Sequence, residues 1–167
     1  MSRGTADEVV ALLTSQGATL AVAESLTGGA VAAAVVDVPG ASAVLRGAVV
    51  AYATDLKARL LGVPQSLLDA HGAVHPEVAA AMAAGVRARL EATWGAATTG
   101  VAGPDPQDGH PPGEYHVAVA GPGGVLVRSC APTGTTTRAQ VRAAAREAVL
   151  ELVLEAARGG GAAPATA

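Results

Sequence analysis

The fold turns on residues 18–40, "ATLAVAESLTGGAVAAAVVDVPG". Residues 18–24 are a short apolar run closed by Glu24, the pattern of a strand buried on both faces. Ser25 to Gly29 break that run with polar and glycine residues. Small apolar residues follow at helical length, and Pro39-Gly40 stops them. Strand, tight turn and helix in that order are the first half of a βαβ unit, which calls for a parallel sheet with helices packed over it.

Upstream, Ala6 to Gln16 carries Val9, Val10, Leu12 and Leu13 at helical spacing, with acids in the first turn and Gly17 as the C-cap. Downstream, "GAVVAYA" (47–53) reads as a second strand. Thr54 is placed to N-cap a short helix through Leu60 that Gly62 closes, and Pro64 to Ala70 adds a helical turn. A helix over 76–92 starts with Pro76 at its first position. "WGAATTGVAG" (94–103) reads as a third strand, and a Gly-Pro loop spans 103–113. "EYHVAVAG" (114–121) and "GVLVRSCA" (124–131) form a hairpin across Pro122-Gly123-Gly124. A last helix runs from about Arg138 to Arg158. The expected fold is a three-layer α/β/α sandwich around a mixed, mostly parallel five-stranded sheet. Residues 1–158 form one domain, and 159–167 are a small-residue tail expected to be disordered. No internal repeat is present.

Composition narrows the function. The 167 residues are 50% hydrophobic with 2% aromatics, a formal net charge of −3 and a pI near 5.7. A core is affordable, but the basic patch and stacking aromatics of a nucleic-acid binder are missing. The N-terminal segment turns acidic before any long apolar run, and no stretch is long enough to span a bilayer. A cytoplasmic location with no membrane partner is therefore expected. Cys130, the single cysteine, cannot form an internal disulfide.

Phe, Ile and Asn are absent, and Lys57 is the only lysine beside ten arginines. Arginine serves wherever a solvated positive charge is enough. A desolvated lysine can lose its proton and act as a base, which arginine cannot. If Thr54 is the cap, Lys57 lies in a first helical turn, where the macrodipole lowers the pKa of an amine. The other reading is chance retention on a solvated face. Ser25 could be the group such a base activates, with backbone N–H groups of Thr27, Gly28 and Gly29 facing an oxyanion or a phosphate. The simpler reading makes Ser25 or Thr27 an N-cap and the glycines turn formers, and on these residues alone it is the preferred one.

Taken together, "AESLTGG" (23–29), "VAYATDLKARLLGV" (50–63), "HGAVHPEVA" (71–79), "TGVAGPD" (99–105), "PPGEYHVAVA" (111–120) and "RAQVRAAA" (138–145) resemble the CinA C-terminal domain family in order and spacing, over nearly the whole chain. Stand-alone members of that family are nicotinamide-nucleotide amidohydrolases. They convert nicotinamide mononucleotide and water to nicotinate mononucleotide and ammonia, and they share the α/β/α fold. The resemblance implies a Ser-Lys dyad of Ser25 and Lys57, with Tyr52 orienting the lysine or relaying its proton. The small-molecule nucleotide substrate would be held by Glu24, Thr27, Gly28, Gly29, Gly103 and Arg142, with Arg138 the second choice for the phosphate. No cofactor or metal is called for, and a homo-oligomer, a dimer by preference, is expected. Longer members carry a further N-terminal domain, whose activity this chain is expected to lack.

Three positions depart from the family pattern: Thr54 where asparagine is usual, His75 where serine is usual, and Thr136-Thr137 before Arg138 where Gly-Asp is usual. The last two bear on phosphate contacts and substrate fit. Two other function classes stay open, a non-catalytic nucleotide-binding module and an interaction protein of competence or damage responses.

Other residues receive structural readings. His71 and His75 with Glu77 imitate a metal site, but Gly72 and Pro76 break the helix that would align them. His110 and His116 show no partner spacing. Cys130 reads as a buried strand-end thiol, and Trp94 as a core anchor. Asp105 and Asp108 either line a pocket or solvate the loop. Glu24 either binds ribose hydroxyls or caps the turn.

Overall fold

A computed structural model describes residues 4–132, 134 and 136–159. Helices α1 (Thr5–Gln16), α2 (Ala30–Val36), α3 (Thr54–Leu61), α4 (Gln65–His71), α5 (Pro76–Arg89) and α6 (Arg138–Gly159) alternate with strands β1 (Leu20–Glu24), β2 (Leu45–Val50), β3 (Trp94–Gly100), β4 (Tyr115–Gly121) and β5 (Gly124–Cys130). A short 3-10 turn at Ala41–Ala43, which the sequence reading lacked, precedes β2. The sheet order is β2-β1-β3-β4-β5. β1 pairs in parallel with β2 and β3, whereas β4 is antiparallel to both β3 and β5, so four of the five strands point one way.

The two faces of the sheet carry different side chains because strand residues alternate. Leu20, Val22, Trp94, Ala96, Val117 and Val119 face α1, α2 and α6. Ala21, Ala23, Ala97, Ala118 and Ala120 face α5. Large residues fill the first layer, each worth about 1.5–3 kcal/mol on full burial. Alanines let α5 settle close on the second. A Cβ on Gly95 would lie 2.1 Å from the Ala83 carbonyl oxygen, so only glycine fits beneath that helix. Trp94 anchors the first core at 7% exposure, as expected.

Predicted boundaries moved by a few residues, and three readings need correction. Thr54 is not the cap of α3. The N-cap is Ala53, with no side-chain bond, and Thr54 is the first helical residue. Cys130 is half-buried rather than buried, because β5 is an edge strand with a neighbour on one side only. His110 and His116 do have a partner, since Glu114 Oε1 lies 3.0 Å from His110 Nδ1 and 3.2 Å from His116 Nε2. Of the expected 159–167 tail, Gly159 ends α6, and 160–167 lie outside the described residues. Among the described residues no helix is long and apolar enough to cross a membrane.

Candidate active site

β1 leads through α2 to β2 on one side, while its other neighbour β3 leads to β4 on the far side. Between the carboxyl ends of β1 and β3 the chain therefore diverges and leaves a crevice, the usual ligand position in an open α/β sheet. Ser25 stands there, one residue past β1. Its N–H donates to the Thr98 carbonyl (3.1 Å) and its own carbonyl accepts from Gly28 N–H (3.1 Å). The turn into α2 is tight because Gly28 (φ +59°) and Gly29 (φ +99°) take left-handed conformations open to glycine.

Glu24 lies underneath, fully buried. Its Oε2 accepts from Gly29 and Val31 N–H at 3.0 and 3.1 Å, and Oε1 accepts from Ala32 N–H at 2.9 Å. These bonds satisfy the orphan amides of the α2 start and leave Glu24 no face toward the crevice. Its alternatives thus resolve to the cap. Thr27 is buried too, its hydroxyl 2.8 Å from that of Thr98.

Lys57 is the other half of the site. It is fully buried, and its Nζ lies 3.0 Å from Ser25 Oγ while donating to the carbonyls of Ala51 (2.8 Å) and Tyr52 (3.3 Å). Burial lowers its pKa from 10.5 to about 8. The solvated-face reading is excluded, and desolvation rather than the macrodipole is the cause of the shift. With no carboxylate among its partners, the amine can give up its proton near neutral pH.

A cavity of about 390 Å³ opens above the pair, lined by Ser25, Leu26, Tyr52, Lys57, Thr99, Arg138 and the wall from Gly100 to Gln107. That volume lies in the range of small-molecule sites. Tyr52 is turned differently from expectation. Its carbonyl meets the lysine, but its phenol, 57% exposed, accepts from Arg138 Nη2 at 2.8 Å. Arg138 also donates to the Gly103 carbonyl. Gly103 and Asp105 line the cavity as well.

Four other candidates lie elsewhere. Gly28 and Gly29 have their N–H groups engaged, by the Ser25 carbonyl and by Glu24, so they cannot also hold an oxyanion. Thr27 is sealed behind the turn. Arg142 donates from Nε to the Leu26 carbonyl (3.0 Å) and from Nη2 to the Thr27 carbonyl (2.8 Å), which ties α6 to the turn, and it is not part of the cavity lining. Of the two arginines, Arg138, at the first turn of α6, lines the cavity and Arg142, one turn on, does not. Among the described residues, the N–H groups of Leu26 and Thr27 have no partner, and Leu26 lines the cavity.

Sequence reasoning passed over Thr98 and Thr99, although two hydroxyls at the carboxyl end of an otherwise apolar strand are a readable signal. Thr98 braces the turn, and Thr99, on the cavity wall, donates from Oγ1 to the Ala73 carbonyl at 2.7 Å. His75 caps α5, its Nδ1 accepting from Glu77 N–H, and its ring stacks on His71 with centroids 4.0 Å apart. No group of three His, Cys, Asp or Glu side chains among the described residues could hold a metal. Thr137 and Gln140 form a reciprocal capping pair before α6, Thr137 N–H to Gln140 Oε1 (2.8 Å) and Gln140 N–H to Thr137 Oγ1 (3.2 Å), so the departure there keeps the helix start intact.

The chain has relatives of known sequence and structure. A CinA-like protein of Frankia casuarinae is 54% identical over 145 residues, 87% of this chain and 33% of that protein. One of Gloeobacter violaceus is 58% identical over 114 residues, 68% of this chain and 27% of its own length. The chain thus spans about a third of the curated relatives it matches. The crystal structure of the competence/damage inducible protein CihA from Agrobacterium tumefaciens superposes with a TM-score of 0.85 at 34% identity, covering 95% of this chain and 99% of that one. A CinA superfamily protein from Escherichia coli gives 0.86 at 28% identity, covering 91% and 88%. The sequence profile of the CinA C-terminal domain matches residues 3–157, and the chain belongs to that family.

Proposed function

We propose that this domain is an amidohydrolase that deamidates nicotinamide mononucleotide to nicotinate mononucleotide and ammonia through Ser25 and Lys57. The observation that carries the reading is a fully buried lysine 3.0 Å from a serine hydroxyl at the base of a nucleotide-sized cavity. A solvated cation has no use for such a position. The Frankia and Gloeobacter relatives are named only CinA-like, the structural ones speak of competence and damage, and these names give no reaction.

Neutral Lys57 takes the Ser25 proton, and the serine oxygen attacks the carboxamide carbon to give a tetrahedral adduct. In this reading the Leu26 N–H, without a partner among the described residues and on a residue that lines the cavity, receives the oxyanion. Collapse breaks the C–N bond, and the proton on Lys57 passes to the leaving amine, releasing ammonia and leaving an acyl ester on Ser25. Lys57, neutral again, deprotonates a water that attacks the ester. The Ser25–acyl bond breaks, the serine recovers a proton from Lys57, and nicotinate mononucleotide leaves. The Ala51 and Tyr52 carbonyls steady the ammonium between these transfers.

Arg138 binds the phosphate in this reading. Two of its N–H groups hold Gly103 and Tyr52, and a guanidinium has five. Ammonia release from nicotinamide mononucleotide by the purified protein tests the proposal, and no release above a Ser25→Ala control sinks it.

A further inference from the structure

The cavity wall from Gly100 to Gln107 belongs to a loop fastened at both ends. At its base Val101 N–H donates to the Glu114 carbonyl and Gly113 N–H to the Val101 carbonyl, both at 2.8 Å. A Cβ on Gly103 would come within 2.9 Å of Pro112 Cβ, so the two limbs touch. At its tip Gln107 and His110 exchange backbone hydrogen bonds of 3.1 and 2.8 Å. Gln107 faces the cavity, and His110 faces Glu114.

Glu114 Oε1 accepts from both His110 Nδ1 and His116 Nε2. His116 is buried in β4, where burial pushes its pKa below the ordinary imidazole range and favours the neutral ring. With Nε2–H donating to Glu114, Nδ1 is left to accept from the Ser129 hydroxyl, 2.8 Å away on the facing residue of β5. Both ring nitrogens of His116 thus have a partner, and Glu114 Oε1 joins the two histidines. The sheet thereby fixes a carboxylate, and the carboxylate fixes the loop tip.

We propose that Glu114 and His110 are positioning residues, a side-chain clasp that sets the Gly100–Gln107 wall and with it the affinity for the substrate, while the Ser25–Lys57 chemistry is left alone. Neither residue lines the cavity, so both act through Gln107 and the loop backbone. The inference rests on the amidohydrolase reading for its kinetic consequence but not for its structural one.

The test uses Glu114→Ala, His110→Ala, the double variant and Glu114→Gln. Kinetics on nicotinamide mononucleotide is paired with amide hydrogen exchange over residues 101–113. KM is expected to rise roughly ten-fold in either alanine variant with kcat held within about two-fold, and local exchange to quicken. The double variant should be no worse than either single, because both cut the same link. Glu114→Gln keeps an acceptor of the same reach and should recover most of the affinity. Unchanged KM with unchanged exchange overturns the clasp, as does exchange quickening across the whole sheet, which would make Glu114 a general stability residue. If the wild-type protein does not turn over the nucleotide, the amidohydrolase reading fails by itself. Exchange then decides the clasp: quickening confined to 101–113 upholds it, and none overturns it.

Discussion

The parallel half of the sheet and its antiparallel hairpin differ in what their strand ends are free to do. β2, β1 and β3 each hand the chain to a turn, helix or loop at the carboxyl end, and Ser25, Tyr52, Lys57 and Thr99 gather there. β4 and β5 return directly on one another and contribute no residue to the cavity lining. Instead β5 leaves Val125, Leu126 and Val127 more than 40% exposed. A crossover connection leaves a crevice at the strand end, whereas a hairpin closes it, so the candidate site lies in one half and the other serves as scaffold.

The largest effect that could break this contrast is at Ser25. Ser25→Ala is expected to lower kcat for deamidation by roughly 10⁴-fold while nucleotide binding by calorimetry stays within a few-fold. A surviving rate would remove the serine as nucleophile. Lys57→Arg should follow at roughly 10²–10⁴-fold, because it keeps the charge but cannot deprotonate. Full activity there would leave the buried lysine without a catalytic role.

Arg138→Ala should raise KM by roughly ten- to a hundred-fold with kcat near wild type, the loss of a charge-assisted phosphate contact. Arg142→Ala should instead lower the melting temperature, because it releases the Leu26 and Thr27 carbonyls. An outcome with the two exchanged would restore Arg142 as the phosphate ligand.

The pH dependence sharpens the role of burial. Lys57 has a folded pKa of about 8 against 10.5 for the free side chain. Between those values the unfolded chain holds a proton that the folded one has released, so wild-type stability should rise with pH across that window, by an amount on the order of 3 kcal/mol. Below pH 8 both states are charged and the burial penalty stands in full. Lys57→Met should lack this rise in urea titrations at pH 7.5 and 10. The wild-type kcat/KM should climb through the same pKa near 8, since the free enzyme must carry a neutral amine. Smallest of all, Cys130→Ala on the edge strand should change stability by less than about 0.5 kcal/mol and leave the rate untouched. A large loss of rate would bring the hairpin into the chemistry.

Sequence alone determined the layers. An apolar strand, a glycine turn and a short helix in succession allow little but a βαβ start, and Pro-Gly-Gly between two alternating runs allows little but a hairpin, because both rest on local backbone preferences. It also drew attention to Lys57, a lone lysine among ten arginines, and the family resemblance joined Ser25 to it, while chance retention and a simple N-cap stayed open. Tertiary structure decided the rest. Glu24, Thr27, Gly28 and Gly29 look like a binding loop in the sequence, yet the turn folds inward, with the Glu24 carboxylate taking the Gly29, Val31 and Ala32 amides and the Ser25 carbonyl taking the Gly28 amide. Arg138 and Arg142 are both plausible anion ligands on one helix. Which of them meets the cavity depends on how α6 lies across β3, and its alternating small and polar residues do not fix that angle. The depressed pKa of Lys57 is tertiary as well, because water is excluded there by several elements together and no local segment carries that information.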